Sequence, residues 1–190
     1  MLTSLGNSNY FSSMDCAGAY YQLPLAEEDR DLTAFNTPDG QWRFKVLAMG
    51  LTNAAQQYTM FMREMVGQLM WNCCLVYLDD IIVHSATLED HKRDVGLVLD
   101  RVIEWGAHLK PEKCFFARQT VSFLGHVVSI DGIAADPLKI AAIQEMPPPT
   151  NLSELRSIIG GFSYFRKYIK NFANIAEPLT RYLGSRNKLE

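Results

Sequence analysis

Apolar and polar residues along this chain follow two periods, and the points where the period changes divide it into elements. Tyr10–Asp15 reads as a short strand that ends at a carboxylate. Two runs with strand character, 33–36 and 42–47, flank Pro38-Asp39-Gly40. Asp-Gly after Pro is a strong turn signal and predicts a β-hairpin. Tyr58, Phe61, Met62, Met65 and Leu69 then recur at helical spacing and predict an amphipathic helix over 54–71, with Asn53 as N-cap and Gln56 as its capping-box partner. The apolar, β-branched runs Cys73–Leu78 and Ile81–Val83 read as strands separated by Asp79-Asp80, which is hairpin spacing with an unfavourable residue pair. Thr87 opens a second helix, with Asp90 at the capping-box position and Leu88, Val95, Val98, Leu99, Val102 and Trp105 as its apolar face. Gly106 closes it.

Val121–Ile130, the turn Asp131-Gly132 and Ile133 read as another hairpin, and Pro137 opens a short helix to about Glu145. Pro147-Pro148-Pro149 is a stiff linker. Beyond it Asn151 or Ser153 caps a helix with apolar positions Leu155, Ile158, Ile159, Phe162, Phe165 and Ile169. There is no internal repeat. The mixture is α+β with a helical end.

Composition narrows the class. At 190 residues, 48% apolar and 21% charged, the chain has ordinary globular usage and is neither disordered nor fibrous. The longest apolar run, Cys73–Leu78, falls far short of the ~20 residues that span a bilayer, and the N-terminus does not resemble a signal peptide. Cys16, Cys73, Cys74 and Cys114 form no CxxC pair, which argues against a disulfide scaffold or structural zinc and for a reduced, intracellular protein. The net charge of −3 hides an asymmetry. Residues 1–150 carry 18 Asp and Glu against 11 Lys and Arg, whereas residues 151–190 carry three against seven. An acidic body suits a divalent cation and a basic end suits phosphate, unless both are simply solvated surface.

Asp79-Asp80 is the feature that a purely structural account handles worst. Adjacent carboxylates between strands of Cys, Leu, Val and Ile repel where desolvation makes repulsion expensive. A hard divalent cation relieves that, and Asp15, at the end of another strand, could complete such a site. A solvated turn is the other reading.

Context decides between them. Tyr77-Leu-Asp-Asp80 between apolar strands, with Phe11-Ser-Ser-Met-Asp15 upstream, resembles the reverse transcriptase active site. The likeness is greatest to gypsy-type long-terminal-repeat retrotransposons. It runs through Asp15-Cys-Ala-Gly-Ala-Tyr-Tyr-Gln-Leu, Thr33-Ala-Phe, Gly50-Leu-Thr-Asn-Ala, Val76-Tyr-Leu-Asp-Asp-Ile-Ile-Val and Pro111-Glu-Lys-Cys. It continues through Phe123-Leu-Gly-His-Val-Val-Ser, Gly132-Ile-Ala-Ala-Asp-Pro, and Leu155-Arg-Ser-Ile-Ile-Gly followed by Tyr164-Phe-Arg.

The resemblance implies a right-hand polymerase palm, an antiparallel sheet with helices on one face, over 1–134. Partial fingers lie at about 24–54 and a helical thumb over 135–190. It implies RNA-directed DNA polymerase activity on an RNA or DNA template with a DNA primer and deoxynucleoside triphosphates, and no membrane partner. Asp15 and Asp79 match the carboxylates that hold two Mg²⁺ ions, with Mn²⁺ able to substitute, and Asp80 matches the supporting third. Lys113 is the nearest match to a lysine that acts as general acid toward pyrophosphate. Cys16, Gly18, Ala19, Tyr20 and Met49 match the nucleotide site, with Tyr20 as the gate against a ribose 2′-hydroxyl. Phe123, Leu124 and Gly125 match the hairpin that grips the primer end.

Arg156, Gly160 and Tyr164 form one stripe of a helix that the resemblance sets against the primer–template minor groove. Gly160-Gly161 in a helix interior costs roughly 1 kcal/mol each, and close approach of something to the backbone is the usual reason, a tight helix crossing being the alternative. The sequence departs from the family pattern at Ala48, Met49 and Ala55, which line the nucleotide pocket and start the following helix. The chain also begins fourteen residues before Asp15, so the expectation is a polyprotein piece without the N-terminal fingers that clamp the triphosphate, and without the RNase H and integrase portions. A different class, a catalytically inactive nucleic-acid-binding or assembly module derived from a reverse transcriptase, fits the same residues.

Overall fold

A computed structural model describes residues 2–184, so part of the basic end, Arg186 and Lys188, lies outside the described residues. The chain divides into two compact units. Unit 1 is Met1–Phe123 with Val128–Gly132, and unit 2 is Leu124–Val127 with Ile133–Glu190.

Unit 1 is built on a four-stranded sheet in the order β4-β5-β1-β6, from β1 (Tyr10–Asp15), β4 (Cys74–Tyr77), β5 (Asp80–Ser85) and β6 (Phe115–Arg118). β1 pairs antiparallel with β5 from Tyr10↔Ser85 to Asp15↔Asp80. Side chains alternate across a strand. Met14, Ile81 and Val83 accordingly join Tyr58, Met62, Met65 and Val66 of α1 (Ala54–Val66) and Val98 and Val102 of α2 (Leu88–Glu104) in one buried cluster. By the same alternation Asp15 and Asp80 project from the opposite face. A small hairpin, β2 (Phe35–Thr37) and β3 (Gly40–Trp42), forms a separate sheet.

Several elements end where backbone geometry, rather than hydrophobic pattern, stops them. The helix predicted over 54–71 ends at Val66, because Gly67 takes φ 52° and a short 3-10 turn follows. Asn53 does stand at the N-cap, but at φ −97°, ψ 2° it lies outside the extended region that capping needs, so its side chain makes no cap bond and the capping box with Gln56 is not formed. Thr87 behaves as predicted and accepts the Asp90 N–H at 3.1 Å. The run 42–47 contributes only Trp42 to β3. The turn between β4 and β5 is Leu78-Asp79, not Asp79-Asp80: Tyr77 pairs with Asp80, and Leu78 takes φ 54°.

The apolar run from Val121 is likewise not one strand. It breaks into β7 (Thr120–Phe123) and β8 (His126–Ser129) at Leu124-Gly125, both at positive φ, and β9 (Gly132–Ala135) completes a three-stranded sheet.

Unit 2 holds α3 (Pro137–Gln144), α4 (Leu152–Tyr164) and α5 (Phe172–Gly184). Asp136 caps α3 through the Leu138 N–H, and Asn151, not Ser153, caps α4 through the Glu154 N–H. α4 stops at Tyr164, so Phe165 and Ile169 fall beyond it, with a 3-10 turn at Arg166–Tyr168 and Asn171 at φ 61°. α5 was hidden in the pattern by Pro178 in its interior. Among the described residues no helix is long and apolar enough to cross a membrane.

Candidate active site

Strand register builds the carboxylate cluster. β1 ends at Asp15, directly across from Asp80, the first residue of β5. The intervening turn is tied back to β1 by the Cys16 N–H, which donates to the Asp79 carbonyl at 3.1 Å. The chain after α2 returns to the same end: Leu109 bridges Cys16, and the Lys110 N–H donates to the Asp15 carbonyl at 2.8 Å. That return carries Lys113, whose ammonium lies 3.0 Å from Asp15 Oδ2. Ser13, Asp15, Asp80, Lys113, Arg118 and Phe123 line a cleft of about 390 Å³. Asp79 does not line it but acts on it through its charge.

The Asp80 carboxyl feels the other two. Burial, reinforced by Asp79 and then Asp15, holds the Asp80 carboxyl above the usual carboxylate range, and only Lys113 opposes this. Asp15 raises the Lys113 ammonium by hydrogen bond and charge, with Asp79 and Asp80 adding to it. Burial pushes the neighbouring Cys16 thiol up to about 11. The donors are all hard oxygens under mutual repulsion, a set that fits Mg²⁺ by its chemistry. Among the described residues, however, no three Asp, Glu, His or Cys groups converge closely enough to ligate an ion. Here the Lys113 ammonium supplies the positive charge at Asp15.

The other residues singled out from the sequence fall into two further places. Gly18 (φ 69°) begins the 3-10 turn Ala19–Gln22, and Ala19 is buried at φ 36°. Tyr20 sets its ring edge-on to Tyr58 at 5.3 Å. The Cys16 thiol is buried, and its N–H is already taken by Asp79. Met49 is exposed. None of these five lines the carboxylate cleft.

In unit 2, Leu124, Gly125, Lys139, Ile143, Gly161 and Tyr164 line an apolar groove of about 440 Å³. Arg156 and Gly160 do not line it. A Cβ built on Gly160 or Gly161 would meet nothing within 4 Å among the described residues, so no helix crossing accounts for the glycine pair.

Sequence reasoning missed the buried polar chain behind the carboxylates. Ser12 Oγ meets His91 Nε2 at 2.7 Å, Ser85 Oγ meets His91 Nδ1 at 3.2 Å and donates to Asp94 at 2.8 Å, and Ser8 meets His84 Nδ1 at 2.9 Å. Ser12 Oγ also accepts the N–H of Ala117, a residue at φ 50° where the β1–β6 register shifts. The network therefore fixes the strand that presents Asp15. Its members are scattered from Ser8 to Asp94 without a motif; polar residues inside otherwise apolar strands and on the buried face of α2 were the available signal.

Residues 1–128 match the family model described as reverse transcriptase (RNA-dependent DNA polymerase), and the chain belongs to that family. It is 40% identical over 94% of its length to the retrovirus-related Pol polyprotein from transposon opus of Drosophila melanogaster, and 37% identical over its whole length to that from transposon 297. The chain spans 18% of the length of each. Among solved structures, the foamy viral protease-reverse transcriptase in complex with double-stranded DNA matches all of this chain and 33% of its own, with a TM-score of 0.90 at 26% identity. The same viral protein in complex with an RNA/DNA hybrid matches 98% of this chain and 26% of its own, with a TM-score of 0.83 at 25% identity. The α+β fold, with its antiparallel sheets and helices, resembles the palm and thumb region of those structures.

Proposed function

We propose that this chain is the nucleotidyl-transfer core of an RNA-directed DNA polymerase, adding deoxynucleotides to the 3′-hydroxyl of a DNA primer on an RNA or DNA template. The observation that carries this is the register of β1 on β5, which sets Asp15 opposite Asp80, the residue after Asp79, with Lys113 on Asp15. Asp15, Asp79 and Asp80 would hold two Mg²⁺ ions, or Mn²⁺ in their stead. When bound, the ions supply charge neutralisation of the triphosphate and a lowered pKa at the primer 3′-hydroxyl.

The chain's own residues do the remainder. Lys113 keeps its proton at Nζ because Asp15 bonds it, with Asp79 and Asp80 adding their charge, and can deliver it to the leaving pyrophosphate. Gly18 and Ala19 shape the backbone under the triphosphate, with Cys16 anchoring the strand end before them. Tyr20, held against Tyr58, screens the ribose, and Met49 borders the base. Phe123, Leu124 and Gly125 meet the primer end. Arg156, Gly160 and Tyr164 meet the duplex. The RNase H and integrase portions of a longer polyprotein, and the rest of the fingers, are the proposed protein partners.

Primer extension on an RNA template, run with this chain and with a polypeptide extended on its N-terminal side, tests the reading. Extension lost on Asp15→Asn while hybrid binding persists supports it; extension unaffected by that change overturns it. One observation favours a second reading, a binding module without turnover: the Lys113 ammonium on Asp15, with no metal-grade cluster among the described residues. Hybrid binding with no extension by either polypeptide, with Mg²⁺ or Mn²⁺, supports that instead.

A further inference from the structure

The Leu124-Gly125 turn is strained and must be held. Its φ angles are 50° and 68°, and a leucine in the left-handed region gives up about 1–2 kcal/mol. Both turn carbonyls are bound from within unit 2. The Tyr164 hydroxyl donates to the Leu124 carbonyl at 2.5 Å, and the Asp136 N–H donates to the Gly125 carbonyl at 3.2 Å.

Tyr164 is 53% exposed, so its phenol is not fixed by burial. It is fixed by a neighbour. The His126 ring, 3% exposed, lies parallel to the Tyr164 ring, 10° between planes and 5.2 Å between centroids. His126 is in turn pinned from two sides. The Tyr168 hydroxyl sits 3.0 Å from its Nδ1, and Phe165 meets its ring edge-on at 5.7 Å. Phe165 also packs edge-on against Tyr164 at 4.9 Å. Burial first, and Lys167 second, lower the His126 pKa and so favour the neutral ring that a Tyr168 hydrogen bond to Nδ1 accommodates. The exposed end of α4 and the turn are thereby tied together around a single imidazole.

We propose that His126 is a positioning residue for the primer terminus: by stacking on Tyr164 and bonding Tyr168 it holds the Leu124-Gly125 turn in the one conformation that can meet a recessed 3′ end. This rests on the reading that Leu124 and Gly125 touch that end. His126 itself touches no substrate. Its effect passes through the orientation of the Tyr164 hydroxyl, whose loss would free the Leu124 carbonyl and let the leucine relax out of the left-handed region.

An anisotropy titration of this 190-residue chain with two RNA–DNA hybrids of equal duplex length, one with a recessed DNA 3′ end and one blunt, tests the proposal. Tyr168→Phe removes one oxygen and leaves the packing, and His126→Phe keeps a ring and loses Nδ1. The unsubstituted chain should prefer the recessed end. Each variant should lower that preference about three- to tenfold, as expected for losing one or two hydrogen bonds, with a smaller loss on the blunt hybrid and a cooperative thermal transition retained. A preference retained in both variants overturns the proposal, as does an equal loss on both hybrids, which would mark the cluster as structural only. No preference in the unsubstituted chain is a different failure: it removes the primer-end reading, and the proposal with it.

Discussion

The two units hold their candidate site residues by opposite means. In unit 1 the carboxylates stand on strands whose neighbours are wholly buried: Phe11, Leu75, Ile81, Ile82 and Val83 are all at or near zero exposure. In unit 2, among the described residues, the only buried apolar side chains are Leu155 and Ala176, while Leu138 is 79% exposed and Ile175 is 62% exposed. Unit 1 positions charge by strand register, which a deep core enforces, because a one-residue slip would move every side chain to the other face. Unit 2 has little core to enforce anything, as expected for so small a body. It positions its turn by discrete side-chain contacts, the Tyr164 hydroxyl and the His126 stack. Repulsion between aspartates can be tolerated where the scaffold is stiff, and aromatic clamps take over where it is not.

The largest effect that separates the units is chemical. Asp79→Asn should lower single-turnover primer extension by about a thousandfold or more while leaving hybrid affinity within about twofold, since charge stabilisation of this kind is worth several powers of ten. Substitutions in unit 2 should do the reverse. A variant of α4 that abolished extension with binding intact would break the division.

Next comes packing. Leu75→Ala, in the centre of β4, should destabilise unit 1 by about 2–5 kcal/mol in urea unfolding, whereas Leu138→Ala, on exposed α3, should stay within about 0.5 kcal/mol. Equal costs would mean that unit 2 has a core that the burial pattern does not reveal.

Acid should act on the buried network of unit 1. Burial lowers the pKa of His84 and of His91, partly opposed by Asp94. The unfolded chain therefore binds the additional protons. Stability is fully present above the ordinary histidine value near 6.5 and falls as pH drops through it toward the depressed folded values. The limiting slope is about 1.4 kcal/mol per pH unit for each histidine. Urea midpoints measured between pH 7.5 and 5 should show this fall, and His91→Gln should make it shallower. A slope unchanged in that variant would assign the acid response elsewhere.

The smallest effect is electrostatic. Arg156→Ala or Lys167→Ala should weaken hybrid binding with little dependence on sequence, and should lower the slope of log affinity against log salt by about one for each phosphate left unneutralised. An unchanged slope returns both residues to solvated surface. Lys167, whose ammonium lies 4.7 Å from the Tyr168 ring centroid, is the sharper of the two because it also adjoins the His126 cluster.

What was legible beforehand follows the same division. β1, the Thr87 cap with its helix, the Pro137 helix and the start of α4, narrowed to Asn151 or Ser153 as its cap, could all be read from local pattern, because each depends on a few neighbouring residues. The Asp79-Asp80 pair stood out because its chemistry conflicts with its apolar flanks. Three of the misreadings sit at positive φ: Gly67 ends α1 early, Leu78 shifts the hairpin turn by one residue, and Leu124-Gly125 cuts an apolar run in two. A leucine is the last residue that local rules would place in a left-handed turn. Such strain persists only where surrounding contacts over-determine it.

Local chemistry in the sequence thus determined which residues could carry charge, cap helices and face a core, and its ordered motifs determined the family. Only the tertiary structure decided that Asp15 faces Asp80, that Lys113 lies on Asp15, that Ser12, Ser85, His91 and Asp94 form one chain, and that His126 stacks on Tyr164. Apart from the contacts of Ser85 with His91 and Asp94, those pairings join residues 38 to 98 positions apart along the chain. They depend on loop closure and burial over the whole unit, which no local window of sequence contains.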